Sequence, residues 1–347
     1  MKNEFIRIIK IAAVYAGIIF GAGFASGQEL MAFFVNRGRA GVLGIIIAGA
    51  VLALAGWAVL DIVARKKIGS YAEFMEVVFG RRLGAALEMA VGAFMFVIFA
   101  AMLAGFGALG YQAFALPFSA GVLILAALTF AVLLFDIRGV IKINLIVTPF
   151  LILGAIILGA LTLSGRAVPA FAMADIAGVF QLSSFLYAAY NILTAVAVLA
   201  TLGTIANTPK IAKYGGLLGG GIIGAIGLLF VLALSLNAAE LADIEIPMLA
   251  LAARQGAIPK YAYILLLIAA IFTTAAANAF AAARWLATRT NIGSIRARVA
   301  VCVLGALAAH LGFSLIVGRV YGIFGYLGLV KMIVIFVFFL WKKNKAV

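Results

Sequence analysis

Cysteine and histidine each occur only once in this chain of 347 residues. A single cysteine, Cys302, excludes an intrachain disulfide and a cysteine metal cluster, and it suits a small apolar packing role. With His310 as the sole histidine, neither a histidine-based triad nor a two-histidine metal site can be assembled. Charged residues make up only 11% of the chain, and acids number 11 against 26 lysines and arginines, for a net charge of +15. Such a balance in a soluble protein would point to nucleic acid. Here 67% of residues are hydrophobic, which is the composition of a polytopic membrane protein. The bilayer, not nucleic acid, is therefore the expected partner. Paired carboxylates, metal-ligand clusters and a Ser/His arrangement are missing as well, so no enzyme and no cofactor are expected.

What is abundant is apolar sequence in runs of about twenty residues, enough to cross a bilayer. Ten such spans lie near 6–35, 41–64, 84–112, 119–136, 139–163, 176–206, 213–236, 260–288, 297–317 and 320–341. With the N-terminus inside, 19 of the 26 basic residues fall in inside loops and six in outside loops, with Lys331 left within the last span. That asymmetry predicts cytoplasmic termini and an even number of spans; the expected location is the inner membrane of a prokaryote. A cleaved signal peptide is not expected, because the apolar character resumes after Glu29 and Arg39. Between spans, residues 65–83 carry Tyr71, Phe74, Met75, Val78 and Phe79 at helical spacing, which predicts a short interfacial helix. Residues 238–256 hold a cluster of acids and then Pro247-Met248-Leu249-Ala250-Leu251. They predict either a helical lid or a solvated connector.

The most informative stretch is Gly21-Ala22-Gly23-Phe24-Ala25-Ser26-Gly27-Gln28-Glu29, within the first span. Three glycines in seven residues are poor helix interior, and a carboxylate is costly in hydrocarbon. The spacing of Gly17 with Gly21, and of Gly23 with Gly27, also serves ordinary helix packing; Glu29 is what packing does not require. Backbone that leaves the helix at membrane depth needs protein or a wet cavity around it. Helix one is therefore expected to be discontinuous, with freed amides and carbonyls holding a solute or ion. Ten spans divide into two units of five with opposite insertion, a 5+5 inverted repeat of about 6–163 and 176–341 within one domain, 1–347. A second break is then expected in span six, around Ser183-Ser184-Phe185-Leu186-Tyr187-Ala188-Ala189-Tyr190-Asn191. Tyr187, Tyr190 and Asn191 offer hydrogen-bonding groups in mid-membrane, for a solute or for a neighbouring helix. No glycine or proline lies between Phe180 and Leu202 to mark the break itself.

Span eight contains Ala270-Ile271-Phe272-Thr273-Thr274-Ala275-Ala276-Ala277-Asn278. Threonines in mid-helix commonly bond back to carbonyls four residues earlier. Their oxygens also suit a small hard cation such as sodium, with carbonyls from the glycine break completing the set.

Together these residues resemble the amino acid–polyamine–organocation transporters. Phe20-Gly21-Ala22-Gly23-Phe24 is similar to the Gly-x-Gly break of that superfamily, and the string 21–29 with residues 187–199 resembles its YkvI-type branch of bacterial membrane proteins. The resemblance implies a fold of leucine-transporter type, with helices one and six broken around the substrate and helices three and eight beside them. It places a substrate carboxylate at Ala22, Gly23 and their neighbours, so that Gly21, Ala22, Gly23, Phe24, Ala25, Ser26, Gly27, Tyr187, Tyr190 and Asn191 are the candidate substrate-binding residues. It places sodium between Gly21 and Phe24 on one side and Ala270, Thr273 and Thr274 on the other. Proton-coupled members often carry a lysine on helix five in place of that cation. Here Lys142 lies near the cytoplasmic end and Val147 to Leu158 contains none, which favours sodium. Two features depart from the pattern: span six lacks glycine, and Gln28-Glu29 is not general in the superfamily.

Glu29 has three readings: acceptor of a coupling proton, partner of a solute's amine, or structural partner of a basic residue such as Lys331, which can also snorkel toward an interface. The leading expectation is a secondary active transporter, a sodium-coupled symporter of an amino acid or similar small zwitterion working by alternating access. Its alternatives are a proton-coupled carrier or exchanger using Glu29, a non-transporting sensor of the same fold, and a passive channel. A channel should show a continuous polar stripe, whereas polar residues here gather in spans one, six and eight. Phe24, Phe94, Phe96, Tyr187 and Tyr190 are candidates for an apolar wall of the substrate pocket.

Overall fold

The computed structural model describes residues 2–135, 138–164, 182–290 and 292–344. All regular structure among them is helical. In chain order the helices are α1 (Lys2–Ile19), α2 (Ala22–Ser26), α3 (Gln28–Phe33), α4 (Arg39–Lys66) and α5 (Tyr71–Phe114). Next come α6 (Phe118–Leu133), α7 (Arg138–Leu163), α8 (Leu182–Leu199), α9 (Pro209–Ser235) and α10 (Ala238–Leu241). The last are α11 (Pro247–Arg254), α12 (Ala257–Thr290), α13 (Ser294–Ala309), α14 (Phe313–Leu315) and α15 (Tyr321–Asn344). Among the described residues, six stretches are long and apolar enough to cross a membrane: Arg39–Lys66, Tyr71–Phe114, Leu182–Thr204, Pro209–Ser235, Ala257–Thr290 and Phe313–Trp341. Phe118–Leu133 and Thr148–Leu163 are shorter apolar helices. The chain is an all-α, multi-pass membrane protein.

Helix packing in lipid favours small residues where backbones approach. The α4–α9 crossing follows this rule: Gly49 lies against Gly224, and Gly220 and Gly216 lie against the backbone at Ala53 and Trp57. Tyr15 of α1 fills the adjacent groove between Gly56 and Gly219, and its hydroxyl donates to the Leu52 carbonyl at 2.8 Å. At the same end of the molecule Lys210 donates to the exposed Glu4 at 3.0 Å, and this hydrogen bond holds the Glu4 carboxyl below the usual carboxylate range.

The short helix expected within residues 65–83 is present as the start of α5. Its N-terminus is capped reciprocally, Ser70 accepting from the Glu73 amide at 3.2 Å and Glu73 from the Gly69 amide at 2.9 Å. It runs into the third span at Gly80, whose φ of 65° and ψ of 178° interrupt the helix. The segment 238–256 forms two short helices, α10 and α11, as a helical connection should.

Two expectations fail. Helix six is not broken where the sequence placed the break: α8 is an uninterrupted α-helix, passing into a 3-10 turn at Ala200–Thr204. Two of its polar side chains tie back to its own backbone, Asn191 to the Tyr187 carbonyl at 2.9 Å and Thr194 to the Asn191 carbonyl at 3.2 Å. With no glycine or proline, nothing frees those carbonyls. Residues 176–181 of that span lie outside the described residues, as do Arg166 and the Lys142 side chain. The ninth span also ends earlier than expected, at Ala309, with a turn through Gly312 at φ 88°. Gly318 and Arg319, taken as a boundary, instead lie in a π-helical turn, Ile316–Val320, that leads into α15.

Candidate functional site

The chain leaves helical geometry twice within seven residues. After α1, the Gly21 amide donates to the Ile19 carbonyl at 2.7 Å in a tight turn, and Gly21 then sits at the N-cap of α2 with φ −88° and ψ −174°. Six residues on, Gly27 closes α2 and opens α3 at φ 83°. The second turn is fixed locally: Ser26 donates to the Gly23 carbonyl at 2.7 Å and accepts from the Gln28 amide at 3.2 Å, while the Gly27 amide bonds the Phe24 carbonyl at 3.0 Å. Breaking a helix leaves its terminal amides and carbonyls without intrahelical partners. Those at the first break lie beside a cavity.

Glu29, in the first turn of α3, is buried and folds back onto the break. A side chain at Gly23 would occupy the place of the Glu29 Oε1 atom. The other carboxylate oxygen, Oε2, accepts a hydrogen bond from the Tyr190 hydroxyl of α8 at 2.7 Å. Around that pair, Tyr190 meets Phe94 and Tyr321 edge-on, with ring centroids 5.9 and 5.3 Å away, and Phe94 meets Tyr321 at 5.1 Å. The edges of aromatic rings carry partial positive charge, so this contact geometry also suits a nearby anion. The carboxylate thus sits in a box of rings from α5, α8 and α15.

A cavity of about 310 Å³ opens beneath it. Its walls include Gly17 to Gly23 and Glu29, Phe94 and Met102 of α5, Thr148 of α7, Tyr190, Asn191 and Thr194 of α8, Ala270, Thr273, Thr274 and Asn278 of α12, and Tyr321. The lining is buried at Phe20, Ala22, Glu29, Tyr190 and Tyr321, part-exposed at Gly17, Ile18 and Thr194, and exposed at Val198. The mouth therefore lies toward the end that holds Gly17 and Val198. The opposite end is covered by α11, whose Met248 packs directly on Gly27.

Of the residues expected at a solute or cation site, Gly21, Ala22, Gly23, Glu29, Tyr190, Asn191, Ala270, Thr273 and Thr274 share this cavity. Phe24, Ala25, Ser26, Gly27 and Tyr187 do not line it. Phe24 stacks with Phe20 and Phe230 at 4.7 and 5.7 Å, and the Ala25 carbonyl accepts from the Tyr263 hydroxyl at 2.7 Å. Tyr187 packs against Phe33 and Phe34, on the covered side of Glu29. Phe96 lines a separate apolar cleft with Val97, Trp285 and Leu286. In the expected cation set, Gly21 and the three α12 residues are together and Phe24 is apart. Thr273 donates back to the Ala269 and Ala270 carbonyls at 2.9 and 3.2 Å; donation spends the hydrogen and not the oxygen's lone pairs.

Lys331 is not the partner of Glu29. Its ammonium donates to the Leu193 carbonyl at 2.9 Å and the Tyr71 hydroxyl at 3.3 Å. The residues that sequence reasoning missed are Tyr321, Met102 and Thr148, which carry no local signal beyond being polar or flexible in an apolar span. Thr194 and Asn278 belong to the polar stretches of spans six and eight already singled out.

No family model matches the chain. It is similar to the membrane protein YkvI of Bacillus subtilis, with 26% identity over 333 residues that cover 92% of each chain. It is also similar to YyaD of the same organism, with 26% identity over 333 residues, 95% of this chain and 96% of that one. Among solved structures it resembles the inward-facing conformation of Mhp1, with a TM-score of 0.60 and 13% identity over 94% of this chain and 75% of that one. The manganese transporter of Eremococcus coleocola gives a TM-score of 0.59 and 18% identity over 94% of this chain and 77% of that one. The chain has the fold these two share. The second of these is a transporter by name. Among the described residues no three His, Cys, Asp or Glu side chains gather as a metal site.

Proposed function

We propose that this protein is a secondary active transporter of a small zwitterion of the amino acid class, coupled to sodium and working by alternating access. The observation that carries the reading is the buried Glu29 carboxylate at the head of a cavity bounded by a broken helix. An intramembrane carboxylate is costly unless used, and this one lies where a bound amine would meet it. The start of α2 at Gly21, Ala22 and Gly23 borders the same space and presents amides toward a solute's carboxylate. A volume of about 310 Å³ suits a small solute. A manganese-type substrate is disfavoured by chemistry, since among the described residues that line the cavity Glu29 is the only His, Cys, Asp or Glu.

Sodium is assigned to the space between Gly21 and Ala270, Thr273 and Thr274, which border one cavity. Thr273→Ala combined with Thr274→Ala is expected to abolish any sodium-dependent response; an unchanged response in that double variant removes the cation site. A second reading, proton coupling or exchange through Glu29, is favoured by its position between the cavity and Tyr190.

The topology that goes with this function is ten spans in two inverted units of five, about 6–163 and 176–341, forming one domain, 1–347. Both termini are cytoplasmic, in the inner membrane of a prokaryote. The charge asymmetry of the loops supports that orientation. On it the cavity mouth faces the cytoplasm, in keeping with the likeness to an inward-facing structure.

The test is the thermal midpoint of the purified protein across an amino acid panel, in sodium or choline, at two pH values. A ligand that binds only the folded state raises the midpoint by mass action. A shift with one amino acid that requires sodium supports the symporter and names its solute. A shift that ignores sodium and follows pH transfers the coupling to Glu29. No shift with any amino acid overturns the substrate class.

A further inference from the structure

Lys331 of α15 is buried, as Glu29 and Asp61 are, but it lies outside the cavity, is not in an ion pair with a neighbour on its own helix as Asp61 is, and is not used by the function proposed above. It is 0% exposed. Its ammonium donates to the Leu193 carbonyl of α8 at 2.9 Å and to the Tyr71 hydroxyl at 3.3 Å, and it lies 5.1 Å from the centre of the Tyr71 ring. Each partner belongs to an element with a place in the site's surroundings. Leu193 immediately precedes Thr194, which walls the cavity, and Val198 at the mouth lies on the same helix. Tyr71 opens the amphipathic segment 71–79, which is set off from the rest of α5 by the non-helical Gly80. One lysine therefore joins α15, the wall helix and a segment set apart at Gly80, one to two turns of α8 from Val198 at the mouth.

Stability does not account for such a group. Replacing buried charge by an apolar side chain of similar volume is often neutral or stabilising, and the best-attested use of buried charge is to select one arrangement over another. An intramembrane ionisable residue with named partners is a functional group until shown otherwise. The arrangement selected can be read from the geometry. Glu29 holds α8 from one side through Tyr190, and Lys331 holds it one turn later through Leu193. Any displacement of Tyr190 when a solute engages Glu29 shifts the Leu193 carbonyl, and with it the bonds that anchor the mouth.

We propose that Lys331 is a positioning residue for the access change: with Tyr71 it forms a latch that holds α8 in the arrangement where the cavity opens past Val198. The inference rests on the alternating-access reading and adds to it the group that sets the balance between states. Breaking the latch should shift the population away from the state described here.

The test uses single-cysteine reporters in a Cys302→Ala background, with labelling rates measured on purified protein with a polar maleimide. Val198→Cys reports the present mouth. Ser184→Cys reports the covered side: it lies two turns before Asn191 on the same face of α8, and the Ser184 hydroxyl is fully buried with no hydrogen-bond partner among the described residues. Lys331→Met and Tyr71→Leu are each expected to slow labelling at 198 and speed it at 184, both by about fivefold, the factor that about 1 kcal/mol represents. A purely structural role would leave both rates unchanged or raise both together, and either result overturns the latch. If Lys331→Met does not fold, Tyr71→Leu decides alone, since it removes the hydroxyl and the ring while leaving the lysine. Should position 184 stay unlabelled in the parent under every ligand condition, the alternating-access reading fails, and the latch with it. Labelling of the parent at 184 that neither variant changes overturns the latch only.

Discussion

Glu29→Gln is expected to weaken ligand-induced stabilisation strongly while leaving the fold intact. Glutamine keeps an oxygen that accepts from Tyr190, whose hydroxyl now bonds Oε2 at 2.7 Å, so the ring box around it need not rearrange. What disappears is the negative charge. A hydrogen bond to a charged group contributes about 1.5–3 kcal/mol, so loss of the amine contact should weaken binding by about 10- to 150-fold. The same variant should flatten any pH dependence of binding, because the titrating group is gone. Isothermal binding measurements or midpoint shifts against ligand concentration, at two pH values, check both. Unaltered affinity and an unaltered pH profile, with folding intact, leave Glu29 structural. Gly23→Ala supplies the companion result: its Cβ would take the space of Glu29 Oε1, so the carboxylate must leave its seat although its charge remains. Binding should fall in that variant too, showing that the position of the charge matters as well as its presence.

How much of this was legible beforehand varies from element to element, for physical reasons. The break in helix one was legible because glycine and a carboxylate are both penalised in an apolar helix, and the penalty shows in composition. That Gly27, rather than Gly21, takes the left-handed conformation was not, since three glycines in seven residues leave the choice to packing. The continuity of α8 was foreshadowed by its lack of glycine and proline, against the symmetry argument that asked for a break; local backbone chemistry won. Which side chains face the cavity depends on the rotation of each helix about its axis, which an apolar span specifies weakly. Phe24 and Tyr187 were therefore expected at the site and turn away from it, while Tyr321 enters it. Lys331 was noticed as a charge in a span, but Leu193 offers it a backbone carbonyl, and no pattern in sequence announces a carbonyl acceptor. The end of α13 was misplaced because Arg319 looked like a loop residue, whereas the turn is made at Gly312.

Gly27→Ala is expected to cost more stability than any other single methyl group added near the site. Two independent terms act at once. The residue has φ 83°, a left-handed conformation that costs an L-amino acid about 1–2 kcal/mol. The added Cβ would also lie 2.8 Å from Met248 Cγ and 3.4 Å from the Met248 amide nitrogen. Met248 is fully buried, so its side chain has little room to yield, and overpacking of this kind costs about 1–3 kcal/mol. Together they predict a loss of roughly 2–5 kcal/mol, visible as a lowered thermal midpoint of the purified protein. Met248→Ala in the same chain should restore the packing share and leave the backbone share, so the two substitutions should be non-additive in a double-mutant cycle. A Gly27→Ala protein as stable as the parent would mean that the chain passes position 27 in another conformation. The seat matters for function because α11 meets the broken helix through this contact. If the lid must lift to open the covered side, the double variant, with the methionine gone, should lift it more readily and label faster at Ser184→Cys than the parent.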